Sequence, residues 1–238
     1  MKAITAAAPV AALVFAATFS AASIPAADAV AQSVAANASA GRIAGQISVT
    51  TKGKAKRDAS GVVIYVVGFK QDAAKTIPKM TQKDRQFVPR VLAITAGQKI
   101  DFPNLDSYFH NVFSLSKTRR FDLGQFKKGR SKVKTFPRKG IVEVYCNIHP
   151  KMSATILVLP NRAFAITDKA GKFRIDGVPP GEWKVFAYSR HALKPARSKV
   201  KVTAGQTTPL RLAVNETKFE FKHKNKFGEN YRDKKAKY

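Results

Sequence analysis

Apolar and polar side chains alternate along most of this chain in short runs, and these runs are rich in Val, Ile, Phe and Tyr rather than spaced three and four apart. Period-two alternation places successive side chains on opposite faces of an extended backbone, so it predicts strands, not helices. The runs predict strands at 42–50, 62–69, 90–95, 99–102, 110–114, 131–136, 141–146 and 154–159. A second set follows at 163–167, 172–175, 182–189, 198–202 and 209–214. Turn chemistry separates them at Ala96-Gly97-Gln98, Arg138-Lys139-Gly140, Asp168-Lys169-Ala170-Gly171, Val178-Pro179-Pro180-Gly181 and Ala204-Gly205-Gln206. The expected fold class is all-β, built as sandwiches or barrels.

Two segments depart from the pattern. Lys2 followed by an Ala-rich apolar run, with no further charge before Asp28, reads as a secretory signal peptide over residues 1–31, with small-residue cleavage sites after Ala29 or Ala31. An uncleaved membrane anchor is the competing reading. At the other end, residues 215–238 interleave Phe219, Phe221, Phe227, Tyr231 and Tyr238 with lysines and arginines. This basic aromatic tail either adds an edge strand through Phe221 or docks on an anionic surface.

Composition sharpens the picture. Lys and Arg number 43 against 15 Asp and Glu, a formal net charge of +28. Such a field attracts an acidic redox protein such as a cytochrome, or an anionic envelope polymer, and an export signal argues against nucleic acid. A solvated basic surface with no single partner is the bland alternative. The one cysteine, Cys146, excludes any internal disulfide, although exported chains usually carry several. Taken alone it is a buried apolar residue or half of an intermolecular bridge.

Its neighbours change that reading. Cys146-Asn147-Ile148-His149-Pro150-Lys151-Met152 places a thiolate, an imidazole and a thioether in one loop after a strand. Soft sulfur ligands with imidazole suit copper, and a trigonal site of two His and one Cys with a weak axial Met is the arrangement of electron-transfer copper. The second imidazole must come from upstream, and His110, at a strand start, is the natural candidate. His191 and His223 read as surface groups and Trp183 as core.

The stretch 76–159 resembles the cupredoxins, or blue copper proteins. The spacing Cys146-x-x-His149-x-x-Met152 is similar to the short ligand loop of amicyanin. His110-Asn111-Val112 is similar to the segment around that family's first His, and Phe87-Val88-Pro89, Ala96-Gly97, Phe102-x-Asn104 and Gly140-x-Val142 follow in the family's order. The resemblance implies a Greek-key sandwich holding one mononuclear type 1 copper ion through His110, Cys146, His149 and Met152. It also implies a supporting role for Asn111, tying the two ligand loops together, and an electron exit at His149.

The flanks resemble a second family, the carboxypeptidase regulatory-like domain, a small transthyretin-like sandwich. Its latter part is similar to the run from Phe164 to Val185, with Ile175-x-Gly177-Val178-Pro179-Pro180-Gly181, and its opening strands to Gly45-Gln46-Ile47 and Val62-Val63-Ile64-Tyr65-Val66. Residues 41–70 and 161–214 are therefore expected to form one sandwich with the copper module inserted between them. In the alternative, 41–70 add strands to the copper module. The expected function is a periplasmic or secreted electron carrier, not an enzyme, since a trinuclear oxidase centre needs more than four His and a binuclear purple centre needs two Cys. Copper storage or delivery, and envelope or matrix binding with a secondary copper site, remain open.

Overall fold

The computed structural model describes residues 40–217 and 223–231. The expected signal segment, and an edge strand through Phe221, lie outside the described residues. Within them the regular structure is all strand. In chain order the strands are β1 (Gly41–Thr51), β2 (Lys54–Ala55), β3 (Val63–Val67), β4 (Thr81–Lys83), β5 (Gln86–Val88), β6 (Val91–Thr95), β7 (Lys99–Asp101), β8 (His110–Ser114) and β9 (Phe121–Phe126). They continue with β10 (Val133–Thr135), β11 (Gly140–Tyr145), β12 (Ser153–Leu159), β13 (Phe164–Ile166), β14 (Lys172–Val178), β15 (Gly181–Tyr188), β16 (Ala196–Val202) and β17 (Thr207–Glu216).

Alternation sorts these strands into two sandwiches, each with its own apolar core. In the first, a sheet ordered β14-β1-β17, with β2 on its edge, faces a sheet ordered β13-β3-β15-β16. Inward residues at every second position, such as Ile43, Ile47 and Val49 of β1 and Ile64 and Val66 of β3, fill the space between them. β1 runs antiparallel to β14, with Ile43 opposite Ile175, and parallel to β17, with Gly45 opposite Leu210. A Cβ on Gly45 would lie 1.7 Å from the Leu210 carbonyl oxygen, so only glycine allows the two backbones this close.

The second sandwich lies between β3 and β13 in sequence. Its main sheet runs β6-β12-β11-β8-β9, with the pairs β7–β10 and β4–β5 alongside. Phe87, Phe102, Phe136, Ile94, Ile100 and Ile156 form its core, and Cys146 and Met152 belong to the same cluster. β12 is buried along its whole length, because its second face meets the first sandwich. There Leu157 and Leu159 pack with Val63, Tyr188 and Ala93.

The chain leaves the first sandwich after β3 and returns at β13, which pairs directly with β3. Asn161, fully buried, seals this crossing: its amide donates to the carbonyls of Val66 and Phe69 at 3.0 Å each. A second tie is Arg190, which follows β15 and reaches into the other sandwich. Its guanidinium donates to Thr155 Oγ1 at 3.1 Å, Ser153 Oγ at 2.8 Å and the Ser153 carbonyl at 3.3 Å.

Four strands were not predicted: β2, β4, β5 and β9. Trp183, expected in the core, is half-buried and packs against the core of the first sandwich. It lies edge-on to Phe69 and donates its indole N–H to the Pro179 carbonyl at 2.7 Å.

Candidate metal centre

The site sits where β11 gives out. β11 and β12 pair down to Tyr145 and Ser153, leaving residues 146–152 as a tight connection. The Cys146 N–H donates to the Met152 carbonyl at 3.1 Å and the Met152 N–H to the His149 carbonyl at 2.9 Å, so the loop folds back on itself. β8 lies on the other side of β11, with Phe113 opposite Tyr145, and brings His110 to the same end of the sheet.

Nδ1 of His110, Sγ of Cys146 and Nδ1 of His149 converge. The sulfur is 3.8 Å from the first nitrogen and 3.7 Å from the second, and the nitrogens are 3.1 Å apart. A point about 2.1 Å from all three atoms lies in their plane, which is a bonding distance for a first-row transition metal. Two imidazoles and a thiolate are moreover the donor set that suits copper. His110 and Cys146 are fully buried and His149 is half-buried, so water reaches the cluster from one side only. Met152 is buried within the same core cluster as Cys146.

The surroundings bias each ligand. Burial pushes the Cys146 thiol up, opposed by the backbone N–H groups of Asn111, Ile148 and His149, which point at the sulfur and favour its anionic form. Burial lowers the His149 pKa, and the neighbouring His110 and Arg85 push the same way against Asp106, which favours the neutral ring that a metal ligand needs. Asn111 joins three elements: its side-chain oxygen accepts from the Asn147 N–H at 3.3 Å, and its amide donates to Asp122 on β9 at 2.6 Å.

One residue escaped the sequence reading. Asp106 accepts from His110 Nε2 at 2.8 Å, which fixes the tautomer and turns Nδ1 toward the cluster. The same carboxylate accepts the backbone N–H groups of Asp84 and Arg85 at 2.7 and 2.9 Å. Those two residues form the β4–β5 turn with φ of 53° and 55°, a conformation that costs energy outside glycine and that the carboxylate compensates. Burial raises the Asp106 pKa, yet these donors outweigh it and leave it below the usual carboxylate value. An acidic residue four positions before a candidate ligand His was the available signal.

His191 is exposed, but His223 is not the surface group it was expected to be. Its ring stacks on Tyr145 with centroids 4.1 Å apart.

A reduced amicyanin mutant is similar at 17% identity with a TM-score of 0.34, over 40% of this chain and 98% of its own. A purple cupredoxin from Nitrosopumilus maritimus is similar at 21% identity and 0.31, over 34% and 96%. A copper-containing nitrite reductase from Thermus scotoductus SA-01 is similar at 24% identity and 0.34, over 40% of this chain and 25% of its own. These neighbours are cupredoxins. No family model and no curated protein matches the sequence.

Proposed function

We propose that this chain is an exported type 1 copper protein that carries single electrons between redox partners. The observation that carries the reading is the convergence of two imidazole nitrogens and one thiolate on a point at bonding distance, in a buried site. His110, Cys146 and His149 would hold one copper ion, together with Met152 from the same loop. Bound there, copper would take up one electron and release it again.

The protein's own contribution is rigidity and selective access. Cys146 and His110 leave strands of one sheet, so their separation is set by the β8–β11 ladder and not by the ligands. Asp106 holds the His110 ring, Asn111 holds the Cys146 loop, and both are themselves buried. A scaffold that resists rearrangement lets the site change charge with little motion, which favours fast exchange. His149 is the solvent-facing ligand. Phe109 and Ile148, each one residue before a ligand His, expose 55% and 38% of their surface and give a partner an apolar landing. Arg85 lies close enough to repel a proton from His149, and it places positive charge beside that landing, which suits an acidic redox protein such as a cytochrome.

For the first sandwich we propose a carboxypeptidase regulatory-like domain in two segments, 41–70 and 161–214. The pairing of β1 with β14 and of β3 with β13 supports this reading.

Loading purified protein with copper(II) tests the proposal. An intense visible thiolate-to-copper charge-transfer band, lost in Cys146→Ser, is expected together with reversible one-electron reduction. A colourless protein that binds no copper would overturn it, and one that binds copper(I) but never cycles would turn the reading toward storage or delivery.

A further inference from the structure

The C-terminal segment does more than trail from the second half of the fold. Residues 223–231 return across the end of the copper module and hold its ligand loop at three successive points. Tyr231 donates its hydroxyl to the Cys146 carbonyl at 3.0 Å. The Lys226 N–H donates to Asn147 Oδ1 at 2.9 Å. His223 Nε2 donates to the Pro150 carbonyl at 2.7 Å, since a carbonyl can only accept, and its Nδ1 lies 2.9 Å from the Lys224 carbonyl. The ring contacts run alongside: His223 stacks on Tyr145 and meets Tyr231 edge-on with centroids 5.2 Å apart. Lys226 Nζ adds an ion pair to Asp122 at 2.9 Å, and Asp122 also binds Asn111. The segment keeps its own shape through Asn225, whose side-chain oxygen accepts the N–H groups of Phe227 and Glu229.

We propose that residues 223–231 are a strap that positions the ligand loop, with His223 and Tyr231 as its positioning residues, and that the strap governs how fast the loop opens to admit or release the metal. This rests on the copper reading above, but its geometry does not. Residues 146–152 connect two strands and carry three of the four proposed ligands, so the loop must yield for a buried ion to pass. The strap's partners on the loop are the carbonyls of Cys146 and Pro150 and the side chain of Asn147, groups that the β11–β12 ladder does not hold. Opening the loop with the strap in place breaks three hydrogen bonds, while the stack of His223 on Tyr145 keeps the strap seated on the end of β11. Opening it without the strap breaks none of these.

The test uses the full chain and two substitutions that leave both cores intact. Tyr231→Phe removes one oxygen, and His223→Ala removes the stacking ring and its donor. The first readout is hydrogen exchange of the amides in 146–151 in the metal-free protein. The second is the rate at which a copper(I) chelator strips the loaded protein. The proposal expects faster exchange in the loop than in the unaltered chain, and stripping faster by on the order of ten-fold in the double variant. It also expects amides in β1 and β17 to keep their protection. His223→Gln, which keeps an N–H donor, should recover part of the loss. Equal exchange and equal stripping in the unaltered and double-variant chains would overturn the strap. So would a loss of protection spread evenly over both sandwiches, since that would make the contacts merely structural. If no copper binds to any form, the functional reading fails while loop exchange still decides the strap.

Discussion

Asp106 shows how much a single side chain can organise. One carboxylate orients a ligand candidate and satisfies the strained turn at Asp84 and Arg85, so removing it affects both at once. Asp106→Ala should lower copper affinity by roughly 10–100-fold, as loss of an outer partner commonly does, measured by competition with a chelator. Asp106→Asn should cost less, because an amide oxygen still accepts one of the three donors. The ligand loop was legible in the sequence because Cys146, His149 and Met152 are close in the chain and their chemistry is distinctive. Asp106 was not legible in the same way. Its importance arises from a hairpin some twenty residues upstream whose turn residues, Asp84 and Arg85, carry no glycine to announce it. His223 was misread for a related reason: its partners, Tyr145 and Pro150, are more than seventy residues away.

At the level of elements, the long alternating strands were recovered, and so were the short β7, β10 and β13, while β2, β4, β5 and β9 were not. β9 reads Phe-Asp-Leu-Gly-Gln-Phe, and Gly124 with φ of 67° breaks its alternation, yet it pairs with β8 and supplies Asp122 to the site. β4 reads Thr-Gln-Lys and β5 Gln-Phe-Val, so the first offers no apolar position and the second no alternation to mark them. The opposite case is Gly45 on β1, where a residue weak in strands is required by its neighbour. Gly45→Ala would force β17 away from β1 along a ten-residue parallel ladder. It should destabilise the fold by about 1–3 kcal/mol in denaturant unfolding, with little change at the metal site.

Across the whole molecule, the sandwiches are joined by chemistry as well as by chain. Arg190 binds Ser153 and Thr155, beside the Met152 end of the ligand loop. Its neighbour Ser189 donates to Glu216, which also pairs with Lys56 at 2.8 Å. Burial raises Glu216, but Lys56 and Ser189 outweigh it and its pKa falls below the ordinary value. A carboxylate depressed in the folded state contributes stability that is complete above its unfolded value, near 4, and is lost as pH falls through the folded value. The thermal midpoint should therefore drop below about pH 4, and Glu216→Gln should be less stable at neutral pH with a shallower acid decline. The excess of positive charge, a formal +28, adds to the same acid sensitivity by self-repulsion as the carboxylates are neutralised.

The crossing between β3 and β13 also dictates an order of events during folding. Phe164 pairs with Tyr65 although about a hundred residues separate them, and closing so long an unstructured loop costs on the order of 4 kcal/mol in chain entropy. If the intervening segment has already collapsed into its own sandwich, its ends emerge side by side at Asn161 and that penalty has largely been met. The inner module then acts as a template for the outer one. A lesion in the core around Phe102 or Ile156 should slow assembly of β1, β14 and β17, strands it never touches, and refolding followed separately at Trp183 would show the delay.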